Sequence, residues 1–477
     1  MFFFTPFLVS HLGKEQYGIW SLVFSIVAYM GLADAGMRQS IVRHVSKYYA
    51  KKDWLQINQV LSSSVIIYSI VFAVILVAIS IISLFLLDKF TVPDSLFRVT
   101  QITLIIIGVN QGLSFFLIPF SSMGPFHRFD ISSYVSIPTL LLQTGSMVYL
   151  LLNGYGLVSM ALVVFAVNLI DKTVMIIIRR KLFPEVKFSR KSIHKENTKE
   201  LLNYGFYSFL IIVATIAIFY TDNIIIGIFI SMSGVAVYTI PATIIMQLRH
   251  AINAISIVLV PAISHFDAEQ NMTKIREIYF KSTRYLYFLT TYLAVCLLVF
   301  GGPFILLWVK DAFAESVNVL NILTVSACIF FPQMIAHSIL FGISKHKITF
   351  YIMSFEAVAN VILSLLLVKD YGILGVAVGT AIPQIIIYSI IYPVVFLKTI
   401  DADISRFYRE SGKSILYGIL IFVPSAWLMK TVLVPDNWFN LIFDCMVVTF
   451  LMGTGLLFLV FDKEDKDRIL KKLRLKK

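Results

Sequence analysis

The sequence predicts an all-α, polytopic membrane protein with 12–14 transmembrane helices, arranged as two parallel six-helix repeats around a central cavity. Three observations carry that prediction. The 477 residues are 58% hydrophobic and only 14% charged, with a mean hydropathy of +0.85, far above the roughly half-apolar composition of soluble domains. Apolar stretches of the about 20 residues needed to cross a bilayer recur along the whole chain and leave no room for a sizeable soluble domain. The chain also resembles itself at a shift of about 217 residues.

Taken in order, a fragment at 1–12 comes first. At about 1.5 Å per residue it reaches only about 18 Å, short of a hydrocarbon core of roughly 30 Å, so it reads as the second half of a first helix. Its sequence, MFFFTPFLVSHLG, lacks the basic start and small-residue cleavage site of a signal peptide. Helices then follow near 17–35, 60–87, 99–120, 132–152, 157–178, 203–230, 234–261, 284–308, 317–341, 348–368, 371–396, 414–434 and 439–461. With the fragment, the total is fourteen. Alternate connections at 38–58, 121–131, 179–200, 262–284, 343–347, 397–413 and 462–477 hold 32 of the 40 Lys and Arg, against six on the opposite side. The imbalance predicts that the basic side is cytoplasmic, with both termini inside.

The repeat rests on three pairings. YGLVSMALV at 155–163 aligns with YGILGVAVG at 371–379, Gly124 with Gly342 at short basic turns, and SHLGKEQYGIW at 10–20 with IFISMSGVAVY at 228–238. Six helices per half is an even number, so both halves enter from the same side and enclose a cavity. The expected organisation is an N-terminal bundle at 1–190 with an incomplete first helix and a C-terminal bundle at 200–396. Two additional helices and a basic cytoplasmic tail then occupy 397–477. The shift also places the partner of the helix at Asn203 about fourteen residues ahead of Met1.

The net charge of +13 marks cytoplasmic loops in a chain of this composition, and no nucleic-acid partner is expected. Cys296, Cys328 and Cys445 lie in apolar stretches without disulfide or metal-ligand spacing, and read as packing residues. No cofactor and no metal is expected. Nor is a nucleotide loop or nucleophile arrangement visible.

The run GLADAGMRQSIVR at 31–43, preceded by TPFLVSHLGKEQYGIWSLV at 5–23, and YTDNIIIGIFISMSGVAVY at 220–238 resemble the polysaccharide transporter family. These are the Wzx-type O-antigen flippases of bacterial inner membranes. They belong to the MATE-like MOP superfamily, which also holds multidrug extruders and the lipid II flippase. The resemblance implies outward movement of an undecaprenyl-diphosphate-linked oligosaccharide, an O-antigen or other surface polysaccharide unit, by alternating access. It also implies a bacterial inner-membrane location, H+ or Na+ as coupling ion, and other polysaccharide assembly proteins as partners beside membrane lipids. The alternative within the superfamily is a multidrug-extruding antiporter, whose cavity would be lined with acids. A membrane polymerase or ligase would offer a large external loop, and the external connection at 88–98 is short.

Ionisable side chains inside spans are costly unless they line a wet cavity or find partners, so each is a functional candidate. Arg249, midway in its helix with Gln247, His250 and Asn253 nearby, offers a planar fork of donors suited to diphosphate oxygens. Its alternative is a structural pair with Asp222. Asp222 reads either as a proton carrier or as that counter-charge. Asp34 and Arg38, four apart, read either as an ion pair at the membrane edge or with Arg38 guarding the cytoplasmic mouth. Glu356 reads as a coupling residue or as a buried neutral acid. Asp171 and Lys172 read as interfacial, and Asp444 and His337 are weaker candidates.

Overall fold

The computed structural model describes residues 4–189, 206–432, 434–461 and 466. Among these the regular structure is helical, and no strand occurs. Twelve stretches are long and apolar enough to cross a membrane: Thr5–Asp34, Trp54–Lys89, Asp94–Phe116, Phe129–Leu152, Leu157–Leu182, Phe209–Phe229, Met232–Ala268, Met272–Val309, Ser316–Gly342, His346–Thr399, Ile404–Val432 and Trp438–Val460. The basic runs at 190–205 and 467–477, and the expected start of a helix at Asn203, lie outside the described residues.

Two of the twelve stretches fold back on themselves. In His346–Thr399 the backbone turns at Gly372 (φ 57°, ψ −135°). Across that turn Asn360 donates to Thr380 at 2.9 Å and Tyr388 to Glu356 at 2.7 Å. Residues 32 apart on one continuous helix would be about 48 Å distant, so these contacts define an antiparallel hairpin. Thr5–Asp34 breaks likewise at Gly13 (φ 73°), and Tyr17 is hydrogen-bonded to Thr5, twelve residues and about 18 Å away on a straight helix. Both glycines occupy positive φ, where a side chain is strained. The two hairpins account for the fragment at 1–12 and for the separate helices expected at 348–368 and 371–396.

The three pairs of the internal repeat fall on or beside turns between helices. Gly13 and Ile230 each mark such a turn, as do Gly156 and Gly372; Gly124 opens a 3-10 turn, and its partner Gly342 is the last residue of a helix, just ahead of the turn at 343–344. The described chain divides into two compact units, the first running to Ala236 and the second from Val237. The expected bundle boundary at 190–200 falls on residues outside the description.

In the first unit, Phe209–Phe229 packs on Thr5–Asp34. Tyr29 and Thr221 share a hydrogen bond between hydroxyls, Asn223 donates to Ser25 at 2.9 Å, and the Gly227 carbonyl accepts from Thr91 N–H at 2.9 Å and from its hydroxyl at 3.0 Å. The connection expected as a loop at 38–58 contains a helix, Met37–Ala50. Met37, Ile41 and Val45 are buried on one side while Arg38, Arg43 and Lys47 are exposed. That period of four, with cations on the outer face, is the pattern of an amphipathic helix packed on the rest of the protein.

The second unit is built on Met272–Val309. Tyr279, Tyr287, Phe330, Tyr388, Tyr392 and Phe407 belong to one buried cluster. A second, with Phe288, Phe422, Leu441 and Val448, ties the last two helices to the same support. Large apolar side chains such as Tyr134, Phe439, Phe450 and Phe458 point outward, as a hydrocarbon solvent permits.

Inside the hairpin the helices meet where side chains are absent. A Cβ at Gly379 would sit 2.5 Å from the Ser364 hydroxyl and 2.6 Å from its backbone nitrogen. Gly379→Val is expected to cost at least the 1–3 kcal/mol of overpacking, read as a lower thermal-unfolding midpoint in detergent. Gly145→Ala, which meets nothing within 4 Å, leaves the midpoint unchanged or raises it.

Candidate functional site

In the second unit a polar cluster sits inside apolar helix. Glu356 is 1% exposed and accepts hydrogen bonds from Tyr388 at 2.7 Å and from Gln384. Both donors come from the returning arm of the hairpin, so Glu356 joins its two arms. The Tyr388 ring stands edge-on to Phe330, with centroids 4.7 Å apart, and Arg249 lies over the other aromatic partner of that pair, its guanidinium 5.9 Å from the Phe330 centroid. His337 stacks on Tyr392 at 4.9 Å. Arg249 is within electrostatic reach of Glu356, His337 and Tyr388. Two residues singled out independently in the sequence, Arg249 and Glu356, thus belong to one constellation.

Arg249 is half-buried, and one Nη also contacts the Met246 sulfur at 3.8 Å. Gln247, His250 and Asn253 are exposed on the same helix. Asn253 therefore stands outside the buried cluster, although it follows Arg249 by one turn. The exposed amides and imidazole extend the polar strip along Met232–Ala268.

In the first unit, Asp34 and Arg38 are not on one continuous helix. Residues Gly31–Asp34 form a 3-10 turn, and Ala35 (φ 46°) and Gly36 (φ 75°) separate it from Met37–Ala50. The Asp34 carboxylate accepts from the Tyr68 hydroxyl at 2.7 Å and from the Arg38 backbone N–H. It thus caps the start of that amphipathic helix, where amide dipoles favour negative charge. Arg38 itself is exposed. Asp222, 3% exposed, lies between Thr221 and Asn223, whose side chains hold Tyr29 and Ser25. Asp222 belongs to the first unit and Arg249 to the second.

Asp171 and Lys172 form an ion pair at 3.1 Å that Thr139 approaches at 3.4 Å. A polar group that the sequence reading passed over is Asn168, which donates to Asn110 and Ser114, each at 2.8 Å. Amides in the middle of apolar runs were its available signal. Tyr388 and Gln384 were missed because tyrosine and glutamine in a membrane helix carry no charge to draw attention. Asp444 is 0% exposed, and neither of its carboxylate oxygens has a hydrogen-bond partner among the described residues. No group of His, Cys, Asp and Glu among the described residues is arranged to hold a metal ion.

The Tyr388–Glu356 bond generates a test. Tyr388→Phe is expected to lower stability by about 1–3 kcal/mol, because it strips a donor from a buried acid. In a Glu356→Gln background the same change costs less. Chemical-denaturation midpoints of the four proteins in detergent give the coupling, which is absent if the two side chains do not interact.

Comparison with known proteins identifies the fold and the family. The polysaccharide biosynthesis protein family model matches residues 1–267. The uncharacterized membrane protein EpsK of Bacillus subtilis (strain 168) is 20% identical over 98% of this chain and 94% of its own. A Shigella flexneri protein provisionally named an O-antigen transporter is 22% identical over 80% and 90%. Among solved structures, the lipid II flippase MurJ in an inward closed conformation superposes with a TM-score of 0.67 at 14% identity, covering 92% of this chain and 96% of that one. An inward-facing multidrug resistance MATE family transporter of the MOP superfamily gives 0.66 at 18% identity, covering 83% and 92%. The chain has the fold of those transporters and belongs to the polysaccharide biosynthesis protein family.

Proposed function

We propose that the protein is a flippase that moves an undecaprenyl-diphosphate-linked oligosaccharide from the cytoplasmic to the periplasmic leaflet of a bacterial inner membrane. It is a transporter rather than an enzyme. The substrate is exposed alternately to the two leaflets, and no covalent bond is made or broken. The observation that carries this reading is Arg249, a half-buried guanidinium midway along Met232–Ala268, within electrostatic reach of the buried Glu356 carboxyl.

The reading is supported by family membership and by the O-antigen and lipid II names of similar proteins. It is also supported by chemistry. A diphosphate entering a membrane protein needs fixed positive charge, and a planar guanidinium matches two phosphate oxygens at once. Arg249, with Asn253 exposed one turn on, supplies that charge, and Arg38 at the basic end of the first unit supplies an entry point. Glu356, within reach of Arg249, is suited to exchange a proton as the anion comes and goes, which would couple transport to H+. Asp222 and Asp34 are the remaining acids that such coupling would employ.

The Lys- and Arg-rich connections support a basic cytoplasmic face, with both termini there. With the interior negative, outward movement of each negative charge is favoured by about 2.3 kcal/mol per 100 mV, so the membrane potential drives an anionic headgroup in the proposed direction.

The test is direct. Arg249→Ala is expected to abolish surface glycan display while the protein still inserts at native level, and Arg249→Lys to restore part of it, since an ammonium keeps the charge but loses the fork. Normal display by Arg249→Ala would remove the basis for this reading.

A further inference from the structure

We propose a second anion site in the second unit: a basic pocket that binds the phosphate of an anionic membrane lipid. A cavity of about 410 Å³ lies where Met272–Val309, Ile404–Val432 and Trp438–Val460 meet. Arg284, Arg409 and Lys413 line it, with Glu410 as the sole acid among the described lining residues. That acid is already engaged, since Arg406 donates to it at 2.6 Å. The hydroxyl-bearing Ser414 and Tyr417 add neutral groups to the wall. The exposed Arg409 and Lys413 bring two cations to one cavity, which suits a phosphate, and the pocket shares no residue with the Arg249 cluster.

Two features select a lipid phosphate over a free one. The pocket closes on Leu459 and Val460, and Leu459 is 49% exposed. From there an outward apolar surface continues: Leu416 and Leu420 follow Lys413 at three and seven residues on one helix face, and Leu457 and Phe458 are exposed on the last helix. A soluble anion has no use for that surface, whereas acyl chains do. The pocket also lies at the basic end of its helices, where the connections 262–284 and 397–413 hold eight Lys and Arg. Basic pockets between membrane helices on the cytoplasmic side recognise anionic headgroups, and that leaflet carries them.

The experiment is native mass spectrometry of the full chain released from nanodiscs holding equal phosphatidylglycerol and phosphatidylcholine, with a parallel sample in phosphatidylcholine plus inorganic phosphate. The wild type is expected to retain phosphatidylglycerol preferentially. Arg409→Gln with Lys413→Gln, both at exposed positions, lowers that retention about tenfold. The charge-matched pair Lys345→Gln with Lys347→Gln, exposed elsewhere on the basic side, leaves it unchanged. Equal retention of the two lipids by the wild type, or equal loss in both double variants, overturns the site. Retention of inorganic phosphate without preference between the lipids overturns the assignment to a lipid.

Discussion

A carboxyl group inside a hydrocarbon layer must find its hydrogen-bond donors within the protein, because no water is there to supply them. Glu356 meets that requirement through Tyr388 and Gln384, both on the arm that returns after Gly372. The bond fixes the register of the hairpin, since a slip of one residue would carry Tyr388 about 100° around its helix. Register in turn lets Gly379 lie against the Ser364 backbone and Asn360 reach Thr380. The aromatic layer of Phe330, Tyr388 and Tyr392 is then set, and with it the seat of Arg249.

The same constraint organises the first unit. Asp34 is held by Tyr68, Asn223 by Ser25, and Asn168 by Asn110 and Ser114. Arg179, 2% exposed, donates to the Pro119 carbonyl and lies 5.1 Å from the Phe188 ring centroid. Each bond joins elements distant in sequence. In a lipid solvent apolar side chains gain little by packing together rather than facing acyl chains, so polar bonds and close glycine contacts specify which helices are neighbours. Gly227 shows both devices, its carbonyl accepting two bonds from Thr91 and its Cα facing Leu22 and Phe90.

Function follows from how few charges the interior contains. A chain that carries a polar, phosphorylated headgroup across a membrane needs fixed charge in a small number of places and none elsewhere. In the proposed transport, Arg249, within electrostatic reach of Glu356, is such a place in the second unit. The pocket at Arg284, Arg409 and Lys413 is a different kind of place, open to exposed leucines and located at the basic end of its helices. On the proposed readings, one serves a headgroup in passage, the other a lipid that stays.

Composition and hydropathy alone determined that this is a helical membrane protein, and the turn sequences determined where its helices reverse. The break expected after 1–12 falls on Gly13, and the one expected between 368 and 371 lies next to Gly372, which the sequence reading had put inside the following helix; both glycines adopt positive φ. Arg249, Glu356, Asp222 and Asp34 were legible because charge in an apolar run is costly and therefore conspicuous. What those residues touch was not. Whether Asp34 pairs along a helix or caps one depended on two left-handed residues, Ala35 and Gly36. Whether Glu356 stands alone depended on Tyr388, thirty-two positions away. The amphipathic helix Met37–Ala50 was hidden by its low mean hydropathy, its apolar face being only one residue in four. Burial is a local cost that a sequence displays, whereas the donor that offsets it arrives from another segment, and only the tertiary structure decides which one.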